Sequence, residues 1–82
     1  MITTSNQKKF YDTYTEQLRQ CIKEYPKQYP YGEERIEEIA NKMFKAFLNG
    51  KACKDGPAIK RTCKILKIGY TYKAIEQYLG VR

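Results

Sequence analysis

The 82-residue sequence lacks histidine, which is the most common general base and metal ligand in proteins. Its cysteines (Cys21, Cys53 and Cys63) are three in number and form no C-x-x-C pair. A Gly-rich phosphate loop and an H-E-x-x-H motif are also missing. We therefore expect no enzyme activity, no cofactor, no metal site and no disulfide framework, and we expect reduced thiols.

Long hydrophobic runs are absent as well. No apolar run approaches the roughly 20 residues of a membrane-spanning helix, and the opening residues MITTSNQKKF lack the apolar segment of a secretory signal. These absences favour a cytoplasmic protein that does not enter a membrane. An apolar fraction of 41% favours a folded chain, and the length favours a single domain over residues 1–82. Such a small domain is marginally stable alone, so a homodimer stays open.

Acidic residues are scarce in one third of the chain, residues 42–73. This part contains nine lysines and arginines and one acid, Asp55, so its net charge is +8. Residues 1–41, by contrast, carry a net charge of −1. Such an asymmetry favours a polyanionic partner, with nucleic acid as the first candidate. The alternative is a lysine surface that only maintains solubility.

The hydrophobic spacing predicts an all-α fold, a small bundle of about four short helices. The first runs from about residue 6 to residue 24 with Ser5 as N-cap and one apolar stripe, and the second covers residues 33–49 with Gly50 after its end. The third runs from about Asp55, as its cap, to Leu66, and the fourth follows Thr71 as N-cap and ends at Gly80. The stripe of the first helix comprises Phe10, Tyr14, Leu18, Cys21 and Tyr25.

The stretch YPKQYPYG, residues 25–32, contains two prolines and a glycine and interrupts the helical pattern. We predict an extended, polyproline-like linker between the first and second helices. Its tyrosines could stack on nucleic-acid bases, although packing the linker against the helices is the commoner role.

The third helix divides into an apolar side and a basic side. At 100° per residue, Lys60, Lys64 and Lys67 fall in one row opposite Ile59, Thr62 and Leu66, and Arg61 widens the basic side. Such a row can donate to successive phosphates, but phosphate contacts carry no sequence information. The predicted nucleic-acid-binding residues are Lys60, Arg61, Lys64 and Lys67, with Lys51, Lys54 and Lys73 in support.

Together the third and fourth predicted helices form a C-terminal helical hairpin that loosely resembles a helix-turn-helix. In the DNA-binding version, the second helix reads the major groove. Here that helix, YKAIEQYLG, offers Lys73 and Gln77 but also Glu76, which phosphates would repel. A DNA-binding regulator is therefore an alternative, as is an inhibitor that binds a host protein without nucleic acid.

Residues 55–79, DGPAIKRTCKILKIGYTYKAIEQYL, also resemble a known pattern. They are similar to the C-terminal part of small bacteriophage proteins, in which A-I-K-x-T-C-K-x-L-x-I is followed by T-Y-K-A-I-x-x-Y-L. The small basic proteins of T-even-type phages include an RNA-binding antagonist of a host endoribonuclease toxin. The resemblance implies a phage protein in the host cytoplasm and favours RNA over DNA. This chain has Lys67 where the pattern has glycine.

These observations lead to one working hypothesis. The protein is expected to bind RNA, or an RNA–protein complex, through the basic side of the third helix. Its expected role is counter-defence, by inhibition of a host toxin.

Overall fold

The computed structural model describes residues 5–49 and 56–80. Within these ranges the chain forms four α-helices and one short 3-10 helix, and no strand. The all-α prediction is confirmed. The α-helices are α1 (Ser5–Glu24), α2 (Ile36–Leu48), α3 (Pro57–Leu66) and α4 (Tyr72–Leu79), and the 3-10 helix Glu33–Arg35 precedes α2.

Helix α1 is the centre of the bundle, since α2, α3 and α4 all pack against it. Its predicted stripe is buried at Phe10, Tyr14, Leu18 and Cys21, because a spacing of three or four residues places these side chains on one face. The prediction for Tyr25 is wrong: this residue lies beyond the helix and its side chain is 40% exposed.

Aromatic rings connect α1 with α2, and α2 with α4. Phe47 of α2 meets the ring of Phe10 edge-on at 5.8 Å, and on another side lies 6.3 Å from the ring of Tyr72 in α4. The rings of Phe44 and Tyr11 also meet edge-to-face, with their centres 6.0 Å apart. Edge-to-face arrangements match the positive edge of one ring to the negative face of another, so these contacts fix how the helices meet.

The helix ends follow the predictions in part. Thr71 caps α4, since its hydroxyl accepts a hydrogen bond from the Ala74 amide at 3.1 Å, and Gly80 ends that helix with φ at 78°. Helix α3 begins at Pro57 after Gly56, whose φ of 93° suits glycine. Ser5 already lies within α1 rather than capping it from outside. The expected roles of Gly50 and Asp55 fall outside the described residues.

The segment 25–32 begins with a tight turn over residues 26–28, so the prediction of an extended linker is wrong for this part. The amides of Gln28 and Tyr29 donate to the Tyr25 carbonyl at 3.1 Å and 2.9 Å. Tyr29 is buried, and its hydroxyl accepts a hydrogen bond from the Ala58 amide at 3.3 Å. Tyr29 therefore satisfies one of the free amides that begin α3 and attaches the segment to that helix.

The predicted C-terminal hairpin is not a closely packed pair. Helix α3 packs mainly on α1, whereas α4 packs on α1 and α2, and α3 and α4 make little contact with each other in the described residues. The helices are held by the rest of the bundle rather than by a shared interface of the helix-turn-helix kind. The homodimer stays a prediction.

Candidate nucleic-acid interface

Helix α3 presents one buried side and one basic side, as its sequence predicts. Ala58, Ile59 and Cys63 are fully covered against the bundle, and so is Thr62. The Thr62 hydroxyl donates to the Ala58 carbonyl at 2.8 Å, which satisfies this polar group inside the core. Burial of this side directs the opposite side of α3 to solvent.

The exposed side carries two lysines one helical turn apart and a third just beyond the helix. Lys60 and Lys64 are separated by four residues and are both exposed, and so is Lys67. We call these three residues the lysine row. Residues four apart on a helix have Cβ atoms about 5–6 Å from each other, so Lys60 and Lys64 are direct neighbours.

Within residues 5–49 and 56–80, the lysine row forms no ion pair. The ion pairs of the described chain join other residues: Lys8 with Asp12, Arg19 with Glu16, Arg35 with Glu38, and Arg61 with Glu24. The ammonium groups of the row therefore keep their donors available for an external anion.

Lys67 is in an unusual backbone conformation for its residue type. Its φ of 60° and ψ of 41° are left-handed, and it is the only non-glycine residue with positive φ in the described part of the chain. The Lys67 amide donates to the Lys64 carbonyl at 3.3 Å, and the Ile68 amide donates to the Cys63 carbonyl at 3.0 Å. This pair of bonds is the Schellman motif, which usually has glycine at the left-handed position.

Lys67 therefore lies after the last residue of α3. The rotation of 100° per residue, by which the sequence places Lys67 in the row, does not hold there because the backbone is no longer helical. The resemblance to phage proteins expects glycine at this position, and the left-handed backbone gives the physical reason. A lysine there carries a charge at a cost in conformational energy.

Replacing Lys67 with glycine should raise the free energy of unfolding by about 0.5–1 kcal/mol. The left-handed conformation costs an L-residue about 1–2 kcal/mol, and the greater chain entropy of unfolded glycine offsets part of that gain. Urea denaturation measures the difference. Lys67→Ala is the control, because it removes the charge and keeps a Cβ atom, and its stability should stay near wild type. A less stable glycine variant would contradict the prediction.

Arg61 is committed to a contact inside the protein. Its two terminal nitrogens donate to the two carboxylate oxygens of Glu24 at 2.7 Å and 2.9 Å. The hydrogen bond from Arg61 lowers the pKa of the Glu24 carboxyl and raises the pKa of the guanidinium. The carboxylate therefore stays charged at neutral pH and offsets the charge of Arg61. Arg61 lies beside the lysine row, but it forms an ion pair within the protein instead of offering its charge to an external phosphate.

The Arg61 guanidinium also lies over an aromatic ring. Its central carbon is 5.7 Å from the centre of the Tyr25 ring, which is within the range of a cation–π contact. The sequence places Tyr25 both on the apolar stripe of α1 and among the tyrosines of residues 25–32 that could stack on bases, but it does not show the contact with Arg61. The signal that Tyr25 leaves the stripe is its place before Pro26, since a residue before proline leaves the helical region.

Of the remaining predicted residues, Lys73 lies in the described part of the chain. Lys73 is exposed in the first turn of α4, which packs on α1 and α2. Lys51 and Lys54 lie outside the described residues. Their contribution to an interface stays a prediction.

Other kinds of site find no support in the described ranges. No group of three or more cysteine, aspartate or glutamate side chains there is placed to hold a metal ion. None of the described helices combines the length and the apolar character needed to cross a membrane. Comparisons with protein-family models, curated proteins and solved structures found no match.

Proposed function

We propose that the protein binds RNA through the lysine row, and that it thereby inhibits a host endoribonuclease toxin in the course of phage counter-defence. The observation that carries the RNA-binding part is the exposed lysine row, which has no acidic partner in the described chain. The counter-defence part depends on the resemblance of residues 55–79 to small phage proteins.

The chemistry of the row suits phosphates. Lysine ammonium groups on an exposed helix face attract the RNA backbone, and each neutralised phosphate releases condensed counterions. The backbone of α3 is fixed by its buried side, so Lys60 and Lys64 leave the helix from fixed positions one turn apart, and Lys67 follows just beyond its end. Because phosphate contacts do not distinguish bases, the row supplies affinity and little sequence specificity.

Helix α4 gives little support to the alternative of a DNA-reading helix. It has eight residues, and Ile75 and Leu79 are fully buried. Of the side chains left for a groove, Tyr72 also contacts the core ring of Phe47, and the half-buried Glu76 adds a negative charge. Because α4 makes little contact with α3, its insertion into a DNA groove would not bring the lysine row of α3 to the same groove.

The test replaces Lys60, Lys64 and Lys67 together with glutamine. Loss of three phosphate contacts should reduce the slope of log affinity against log salt concentration by about 2, since each contact on a single strand contributes about 0.7. We expect the affinity for RNA at about 0.1 M salt to fall at least tenfold, as measured by fluorescence anisotropy with a labelled oligonucleotide.

The matched control replaces Lys8, Lys9 and Arg19 with glutamine. These residues are exposed on α1, and the change in net charge is the same. The control should bind RNA nearly as wild type does. Equal losses in both variants would show that only net charge matters, and an unchanged triple row variant would overturn the proposal.

The counter-defence part has its own assay. RNA cleavage by a purified endoribonuclease toxin is followed with increasing amounts of wild type and of the row variant. Wild type should inhibit cleavage and the row variant should not. Equal inhibition by both would favour an inhibitor that binds the toxin protein directly.

A further inference from the structure

Next to the lysine row lies an exposed aromatic residue whose backbone is firmly held. The Tyr25 amide donates to the Cys21 carbonyl at 2.7 Å, which continues the last turn of α1, and the Tyr25 carbonyl accepts two further hydrogen bonds. The side chain is nevertheless 40% exposed. A fixed backbone reduces the entropy that an exposed ring loses when it binds a partner.

The ring is also held in position. Arg61 lies over it at 5.7 Å, and the Arg61 guanidinium approaches the Tyr25 hydroxyl oxygen to 3.5 Å. Glu24 fixes that guanidinium through two hydrogen bonds. Tyr25 and Arg61 thus form a preorganised pair of two flat groups, an exposed aromatic ring and a half-buried guanidinium that lies over it. We call it the Tyr25–Arg61 pair.

An open cleft adjoins the ring. It has a volume of about 380 Å³ and is lined by Tyr25, Pro26, Lys27 and Gln28 with Glu24. Pockets that hold small organic ligands begin at about 300 Å³, so the cleft has room for a flat heterocycle. Lys27 is exposed and adds a positive charge at its edge.

The Tyr25–Arg61 pair connects the cleft with the helix of the lysine row, since Tyr25 lines the cleft and contacts Arg61 of α3. Arg61 follows Lys60 in α3 and lies three residues before Lys64, and residues three apart share one side of a helix. We expect a strand whose phosphate contacts Lys64 to bring its base to the Tyr25–Arg61 pair.

We propose that the Tyr25–Arg61 pair is a stacking site for an unpaired base, so that the protein prefers single-stranded RNA to duplex RNA. This inference depends on the proposed RNA binding. Unpaired bases stack on tyrosine rings and arginine guanidinium planes, and each such stack contributes about 1–3 kcal/mol. Bases within a duplex are already stacked and paired, so they do not reach the ring.

The two other tyrosines of residues 25–32 are less suited than Tyr25 to stack on a base. Tyr29 is buried and holds α3 through its hydroxyl, which is a structural role. Tyr31 is exposed to a similar degree, 36%, and lies 5.6 Å from the Arg35 guanidinium. Its neighbours along the chain, however, are acids that repel phosphate: Glu33, Glu34, Glu37 and Glu38.

The test compares Tyr25→Leu with Tyr31→Leu, which removes a matched ring beside an arginine. Binding to a 12-nucleotide single strand and to the same sequence as a duplex is measured by anisotropy. Tyr25→Leu should weaken single-strand binding by about 5- to 150-fold, the range that corresponds to one stack, and should leave duplex binding nearly unchanged. Tyr31→Leu and Tyr25→Phe should behave as wild type.

A second readout reports stacking directly. A strand containing 2-aminopurine should lose fluorescence on binding wild type and keep it on binding Tyr25→Leu at saturating protein. Circular dichroism confirms that each variant is folded. If the row variant loses binding while Tyr25→Leu retains it, the stacking site is refuted and RNA binding by the row stands. If wild type binds no RNA, both proposals fall.

Discussion

Replacing Phe47 with alanine should lower the free energy of unfolding by about 3–5 kcal/mol, as large-to-small changes of buried aromatic residues do. Phe47 is completely buried and contacts the rings of Phe10 and Tyr72. The variant loses the transfer free energy of the ring and leaves a cavity where α1, α2 and α4 meet. A small domain has only about 5–15 kcal/mol of stability in total, so a loss of this size leaves a substantial unfolded population at modest urea concentrations.

Urea denaturation followed by circular dichroism measures this effect. Phe47→Leu should cost less, because leucine fills much of the same space. Ile65→Ala is the surface control: Ile65 is 52% exposed on α3, and its removal should change stability by no more than about 0.5 kcal/mol. If Phe47→Ala cost no more than Ile65→Ala, the position of Phe47 in the core would be wrong.

The burial of Phe47 belongs to the part of the fold that the sequence predicts well. The spacing of six residues indicates one apolar face on the second helix: Ile36, Ile39, Ala40, Met43, Phe44 and Phe47. Four of them are buried, and Ile39 and Met43 are half-buried. Thr71 and Gly80 predict the ends of α4 for a similar reason. Caps and periodic stripes are properties of a few neighbouring residues, and neighbouring residues are what a sequence displays directly.

The features that sequence analysis missed depend on residues far apart in the chain. Arg61 was assigned to the phosphate-binding side because its helical angle is favourable, but Glu24, 37 positions earlier, accepts its hydrogen bonds. Tyr25 was placed in the core because it continues the spacing of α1. Pro26 predicts that the helix ends near Glu24, but no local pattern indicates that the next ring meets an arginine of α3.

The backbone conformation of Lys67 also differs from the prediction. The end of α3 near this position was predicted, but the expected lysine row assumed that helical geometry continues through Lys67. The left-handed backbone there is set by the Schellman hydrogen bonds of the helix end. A glycine at position 67 would predict a left-handed residue at the helix end, whereas a lysine there does not.

The candidate interface therefore combines a predictable part and a tertiary part. Lys60 and Lys64 are exposed because the apolar residues of their own helix turn them outward. The Tyr25–Arg61 pair exists only because α1 and α3 pack side by side. The lysines of the proposed phosphate contacts can be read from the sequence, whereas packing brings together the two flat groups of the proposed stacking site.

Replacing Gln7 with glutamate should lower the free energy of unfolding by about 2–4 kcal/mol at neutral pH, although the two side chains have nearly the same shape. Gln7 is buried, and its side-chain nitrogen donates to the Leu79 carbonyl of α4 at 2.8 Å. An ionised carboxylate has no hydrogen to donate. The buried carbonyl would be left unsatisfied at a cost of about 1–3 kcal/mol, and the new charge would face the negative end of the α4 dipole.

The loss should depend on pH in a defined direction. Burial and the adjacent carbonyl favour the neutral acid, so the pKa of the introduced carboxyl in the folded variant lies above its pKa in the unfolded chain. The destabilisation is therefore full above the folded pKa and decreases as the pH falls toward the unfolded pKa, about 4.3 for glutamate. Urea denaturation of wild type and variant at several pH values measures it, with wild type correcting for the titration of other groups.

Two further variants separate the causes of this loss. Gln7→Met removes the hydrogen bond without adding a charge and should show a smaller loss that does not vary with pH relative to wild type. Asn6→Asp alters a similar bond at an exposed position, where the Asn6 side-chain nitrogen donates to the Tyr78 carbonyl at 3.1 Å, and water can replace it at little cost. A Gln7→Glu variant as stable as wild type at neutral pH would show that the end of α4 is not held by α1, and the attachment of the C-terminal helix would need another explanation.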